Sequence, residues 1–265
     1  MNAASTFSTS SCAHDALGVK FSPPPTQEHD EFDADVERGE TIPDSSMPFT
    51  ELQGKVHENT FKAITVRPFK YTHLSPVQEQ ILPLLPELAL PYKEFSTAQQ
   101  AGEIQTPRDL LVKAKTGTGK TMAFLVPAIE ARIKSLEACA DSTVSQLASH
   151  GVGVRPAVDK SRAMQRFAIE NVGTLVISPT RELATQIAVE ALNLSSHHRG
   201  FSVQVLLGGE SRGRQLREWQ GRKDIVVATP GRLLDLLSTE EQVRAAFKGT
   251  KLVMTSAHLY RCKLG

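Results

Sequence analysis

Asp109–Pro127 reads DLLVKAKTGTGKTMAFLVP, and the fold is decided in that stretch. Asp109 to Ala114 is a short apolar run of strand length. It breaks at Lys115-Thr116-Gly117-Thr118-Gly119-Lys120-Thr121, and Met122 to Val126 continues as a buried helix. A strand, a glycine-rich turn and a helix in that order form a phosphate cradle. The turn's N–H groups converge on an anion at the positive end of the helix dipole. Gly117 and Gly119 lack the Cβ atoms that would hold the phosphates away. Lys120 supplies a cation for the β and γ phosphates, and Thr121 a hydroxyl for magnesium. The strict pattern opens with glycine, and Ala114 stands there instead. A flexible Gly/Thr turn is the plainer reading. Gly-Lys-Thr at a helix start meets the context the motif demands, and predicts binding of ATP or GTP with Mg2+.

The rest of the chain sets bounds on that reading. Its 265 residues fit one large domain with a tail, or two small ones. Apolar residues make up 40%, enough for a core. A net charge of +1 gives no global pull on nucleic acid, so any such binding must be local. Cys12, Cys139 and Cys262 lack metal-ligand spacing, and an odd count argues against a disulfide framework. A reducing compartment inside the cell follows. No apolar stretch approaches the roughly 20 residues of a membrane span, so no membrane partner is expected.

Residues 1–48 carry Ser/Thr-rich sequence, Pro23-Pro24-Pro25 and an acidic run from Glu28 to Glu40, the composition of a disordered tail. From Phe49 an irregular apolar stripe runs through Leu52, Val56, Phe61, Ile64 and Val66, helical in part. Phe69-Lys-Tyr-Thr-His-Leu-Ser-Pro-Val-Gln78 follows, then an amphipathic helix from Glu79 to about Leu88 that Pro83 and Pro86 bend or end. Tyr71 by stacking and Gln78 by its paired donor and acceptor suit a base. A capped turn with a buried tyrosine suits the same residues.

Beyond the phosphate loop, 138–162 is polar and reads as a surface insertion. Strand–helix alternation then resumes. Thr174 to Ser178 leads into Pro179-Thr180-Arg181, and Val203 to Leu207 into Gly208-Gly209. Asp224 to Ala228 leads into Thr229-Pro230-Gly231-Arg232, and Lys251 to Met254 is a last strand. Near-continuous apolar strands between helices give an α/β fold, a mostly parallel sheet covered by helices on both faces. Ligands of such sheets bind at the carboxyl ends of the strands. Thr180 and Thr229 can cap helices there, and Arg181 and Arg232 add charge. Each alone is ordinary capping with a solvated arginine. Together at successive strand ends they predict a polyanion site.

Taken together, these residues resemble the first RecA-like domain of a DEAD-box RNA helicase. Ala114 to Thr121 is similar to that family's motif I, alanine included, and Leu74 to Gln78, with Tyr71 and the upstream Phe49, to its Q motif. Pro179 to Ala184 resembles motif Ia, Gly208-Gly209 the double-glycine element and Thr229 to Arg232 motif Ib. The likeness spans about Phe49 to Val253 and implies an ATP-dependent RNA helicase or RNA chaperone. It implies that Gln78 holds adenine with Phe49 or Tyr71 stacked on it, and that Thr116 to Thr121 hold phosphates and magnesium. Pro179, Thr180, Arg181, Gly208, Gly209, Thr229, Pro230, Gly231 and Arg232 would hold the backbone of one RNA strand. The Phe69–Gln78 segment most resembles the fungal mitochondrial branch. That implies a mitochondrial address, with nucleus and cytoplasm as alternatives.

One element departs. Where the family carries Asp-Glu-Ala-Asp, this chain reads Thr255-Ser256-Ala257-His258. Phosphoryl transfer needs a carboxylate for magnesium and another for the attacking water, and neither is there. The reading is therefore a partial RecA-like ATP-binding domain over 49–265, incomplete at its C-terminus, with a divergent tail from 254. The abrupt change there reads as a truncated frame or retained intron. The alternative function is a non-catalytic fragment that binds nucleotide and RNA.

Overall fold

The computed structural model describes residues 46–90, 92–103, 109–115, 117–151, 153–250 and 252–255. The expected disordered tail, except 46–48, lies outside those residues, as do Thr116 and all of the divergent tail beyond Thr255.

Four apolar runs form a parallel sheet: β1 (Thr174–Ile177), β2 (Val203–Leu206), β3 (Ile225–Ala228) and β4 (Leu252–Thr255), in spatial order β2-β3-β1-β4. Val, Ile and Leu dominate because a strand covered on both faces has no solvent side to keep polar. Successive residues feed different cores. Val176, Val203, Ile225 and Val227 pack with α4 (Lys120–Ser149) and α6 (Arg181–Leu194) on one face. Leu175, Leu206, Val226 and Ala228 pack on the other with α8 (Pro230–Thr239) and α9 (Glu241–Phe247). A short α7 (Arg212–Glu218) precedes β3. The expected two-faced parallel α/β architecture is present.

Upstream, a 3-10 turn at Phe49–Leu52 and α1 (Glu58–Thr65) account for the irregular apolar stripe. The next helix is shorter and earlier than expected. α2 (Pro76–Ile81) starts at the Ser75 cap and ends in 3-10 turns around Pro83 and Pro86, and α3 (Tyr92–Gln100) follows. Within the polar stretch 138–162, residues up to Ser149 are the last turns of α4 and those from Pro156 the first turns of α5 (Pro156–Glu170).

The predicted strand at 109–114 is not there. Leu110 to Lys115 has no ladder partner among the described residues, and Leu111 is fully exposed. An apolar run becomes a strand only when a neighbour accepts its hydrogen bonds, and β4 is the sheet's edge on that side among the described residues.

A buried ion pair fixes the direction of α4. Arg132 Nε donates to Asp224 Oδ1 at 2.9 Å and Arg132 Nη2 to the Asn171 carbonyl at 3.0 Å. Both partners precede strands, so α4 reaches the amino ends of β1 and β3 at Arg132. Met122, Leu125, Val126 and Ile129 lie in the core shared with Val176 and Val227. The helix therefore runs against the strands, and its Lys120 end points to their carboxyl ends.

Candidate functional site

The glycine-rich loop enters α4 through two left-handed residues, Gly117 at φ 79° and Gly119 at φ 72°. Only glycine takes these angles without strain. The loop is closed on itself. Lys120 Nζ donates to the Ala114 carbonyl at 2.9 Å and to the Lys115 carbonyl, and Thr118 Oγ1 donates to Lys115 O at 2.8 Å. Thr121 stands in the first turn of α4. An anion seated in the loop competes with those carbonyls for the ammonium.

The Ser75–Gln78 segment clamps the loop from outside. Ser75 Oγ donates to Thr118 O at 2.8 Å, and Gln78 Nε2 to Gly119 O at 3.2 Å. The Gln78 Oε1 accepts the Ser75 N–H at 3.0 Å, half of the capping box that starts α2. Gln78 is buried, with both ends of its amide engaged. Ser75 was not singled out from sequence, although Ser-Pro-x-Gln is a helix-start signature that identifies it. The two candidate stacking aromatics part company. Phe49 is buried in the main core at 1% exposure, whereas Tyr71 is 47% exposed and lies against Phe69 with ring centroids 5.5 Å apart. A buried Tyr71 is thus excluded.

The three strand-end motifs meet one another. Arg181 Nη1 donates to Gly208 O at 3.3 Å, and Gly208 N–H to Thr229 Oγ1 at 3.3 Å. Arg232 donates through Nη2 to Glu210 O at 2.9 Å and through Nη1 to Gln215 Oε1 at 3.0 Å. Thr180 caps α6 as expected, its hydroxyl accepting from Leu183 N–H at 3.2 Å. Thr229 does not cap α8 with its side chain; its hydroxyl reaches across to the end of β2. Pro179, Pro230 and Gly231 flank these contacts, with Pro230 at the first turn of α8. Gly209 (φ 84°) lies under Arg181, where a Cβ would come within 2.5 Å of Nη1. Gln215 and Glu210, which hold Arg232, carry no sequence signal.

Thr255 ends β4 beside Ile177. It opens the register that runs on through Ser256, Ala257 and His258, and those three lie outside the described residues. Thr255 is the strand's last residue and has only a hydroxyl to offer. The hydrogen bonds thus fall into two groups, loop with Ser75 and Gln78, and Arg181 with Gly208 and Thr229, while Arg232 is held by Glu210 and Gln215. Both sit toward the carboxyl ends of the strands, given the direction of α4.

Residues 96–260 match the model of the DEAD/DEAH box helicase family. The chain is 39% identical over 166 residues to rice DEAD-box ATP-dependent RNA helicase 25, covering 62% of this chain and 24% of that relative. It is 33% identical over 212 residues to the Phaeosphaeria nodorum ATP-dependent RNA helicase MSS116, mitochondrial, covering 79% and 30%. The chain therefore spans about a quarter of the length of the first of these relatives and 30% of the second. Among solved structures, the DEAD-box helicase Mss116 bound to ssRNA and UDP-BeF superposes with a TM-score of 0.53 at 21% identity, over 82% of this chain and 42% of that one. At that identity the likeness speaks for the fold alone, an α/β RecA-like domain. No helix among the described residues is long and apolar enough to cross a membrane.

Proposed function

The chain belongs to the DEAD/DEAH box helicase family, and on that premise we propose that it is the ATP-binding half-site of an ATP-dependent RNA helicase together with part of its RNA track. The observation that carries this reading is the contact of Gln78 with Gly119, which puts an amide suited to a base on the loop suited to phosphates. On ATP binding, Lys120 leaves the loop carbonyls for the phosphates, Gln78 turns its amide to adenine and Tyr71 covers the ring. Thr121 offers a hydroxyl to magnesium. That suits an ion that takes most of its ligands from phosphate and water, and the ion would neutralise phosphate charge. Arg181, with the N–H groups at the starts of α6 and α8, holds the sugar–phosphate backbone of one RNA strand, reading shape and not sequence.

Thr255 favours a second reading for the 265-residue chain itself, binding without turnover. The register from Thr255 to His258 offers no carboxylate to hold magnesium or to orient water. The test is ADP binding and RNA-stimulated ATP hydrolysis beside a Lys120→Ala control. Nucleotide binding that the control loses, with no hydrolysis above it, is the expected result. Absent binding overturns the half-site, and hydrolysis well above the control overturns the second reading. The likeness to a helicase named mitochondrial supports that address for this chain, tested by following a tagged protein through cell fractionation.

A further inference from the structure

Away from both groups of site residues, hydrogen bonds from His57 and Thr60 converge on Glu130 of α4, with His198 behind Thr60. Glu130 Oε2 accepts the His57 N–H at 2.9 Å, and its Oε1 accepts the Thr60 hydroxyl proton at 2.6 Å. Thr60 Oγ1 lies 2.9 Å from His198 Nε2. With its one proton given to Glu130, Thr60 must accept there, so His198 carries its proton on Nε2. His57 Nδ1 accepts the Asn59 N–H at 3.1 Å, so that ring is unprotonated at Nδ1. Thr60 is fully buried and Glu130 is 5% exposed. Burial holds His198 down at about 4 and pushes Glu130 up. With Glu130 accepting from both His57 and Thr60, the network closes around one side chain.

Its location is the point of interest. Residues 57–78 form a strap along α4, tied by Ser75 and Gln78 at the phosphate loop and by His57 and Thr60 at Glu130. At 1.5 Å per residue the two ties are about 15 Å apart on the helix. They differ in kind. The loop end is a pair of contacts to carbonyls at 2.8 and 3.2 Å, beside a loop that must move to admit phosphate. The Glu130 end is buried, its two bonds at 2.9 and 2.6 Å lying in the low-dielectric interior that strengthens a hydrogen bond. We propose that Glu130 is a positioning residue for nucleotide binding, the fixed anchor that keeps the strap on α4 when Gln78 leaves Gly119 for the base. Gln78 can then exchange partners without the strap losing its place. This rests on Gln78 as the base-reading residue.

The test compares ADP with inorganic pyrophosphate, which engages the loop and offers no base. Glu130→Leu removes both acceptors and is expected to weaken ADP roughly tenfold, the size of one lost buried hydrogen bond, with pyrophosphate unchanged. Glu130→Gln should restore most of the loss. A glutamine can accept from His57 and donate to Thr60 if Thr60 turns to donate to His198, whose proton moves to Nδ1. Equal losses for ADP and pyrophosphate, or none for ADP, overturn the proposal. Should Glu130→Leu fail to fold, Thr60→Val cuts one tie only and is read by the same ratio. Hydrogen exchange of the wild-type chain adds a readout that needs no variant. ADP should change protection at Ser75 and leave His57 as it was, and a change at His57 overturns the anchor. A wild-type chain that binds ADP no better than pyrophosphate would instead remove base reading by Gln78, and the anchor's role with it.

Discussion

Gln78 and Gly119 hold each other in place. The side-chain amide donates to the glycine carbonyl at 3.2 Å, and a Cβ on that glycine would stand 2.5 Å from the donating nitrogen. The residue suited to a base and the residue that starts the phosphate-loop helix are thus direct neighbours, although they are 41 positions apart in sequence. Any movement of the loop toward phosphate must displace Gln78, and any turning of Gln78 toward a base frees the carbonyl of Gly119.

Gly119→Ala should therefore fail twice. An L-residue at φ 72° costs about 1–2 kcal/mol, and the new methyl pushes Gln78 off its carbonyl. A fall of roughly that size in urea unfolding is expected, with ADP binding reduced well beyond it. Gly117 shares the positive φ but has nothing within 4 Å of a built Cβ. Gly117→Ala should then show the backbone cost alone, and equal nucleotide losses in the two variants would deny the contact its role.

Much of this arrangement was legible from the chain. Thr174 to Ile177, Val203 to Leu206 and Ile225 to Ala228 are strands wherever an α/β chain puts such runs between helices, and the motifs after them fall at one end by topology. Leu110-Leu111-Val112 has the same composition and is no strand, because pairing is a property of neighbours and not of the run itself. The polar composition of 138–162 hid two helices, since α4 continues there against α5 with Leu136 and Ala140 buried. Thr60, Glu130 and His198 gave no local signal at all, being separated by 70 and 138 positions. Only the packing of α1 and α6 around α4 brings them together.

The buried carboxylate before β3 should be the costliest polar residue to remove. Asp224 is fully buried and accepts from Arg132 at 2.9 Å, from Arg222 at 3.0 Å and from the Ser202 N–H at 3.0 Å. Deleting it leaves the Arg132 guanidinium, itself buried, without a counter-charge. Breaking one side of such a pair costs about 3–5 kcal/mol. Asp224→Ala is expected to lose that much in urea unfolding. A loss under about 1 kcal/mol would mean that water reaches Arg132.

The two arginines of the proposed RNA track should separate by experiment. Arg181 is exposed, with one bond to Gly208 O at 3.3 Å. Arg232 is largely covered and braces Glu210 and Gln215. Arg181→Ala should weaken single-stranded RNA evenly across sequences, reduce the salt slope by about 1 and leave stability within about 0.5 kcal/mol. Arg232→Ala should weaken RNA and lower the melting temperature together. An unchanged salt slope in Arg181→Ala would take that residue off the phosphate path.

His198 gives the fold a pH dependence whose sign can be worked out. Burial, with His57 and His197 nearby, holds it at about 4, below its ordinary 6.5. Between those values the unfolded chain binds a proton that the folded chain refuses, so this group's contribution is lost as pH falls from 6.5 toward 4. Glu190 works the other way. Burial raises it to about 7 from 4.5, so the folded chain holds the extra proton and stability is lost as pH rises through that range. Glu130, also raised by burial, acts in the same sense as Glu190. The opposing slopes overlap, and the wild-type profile should be flatter than either group alone dictates. His198→Gln keeps a donor for Thr60 and removes the titration. Urea midpoints from pH 4 to 7 should show the wild type losing ground to this variant as acid is added, and the variant itself weakening toward neutrality. Parallel profiles for the two proteins would mean that His198 takes up its proton inside the folded chain as readily as outside it.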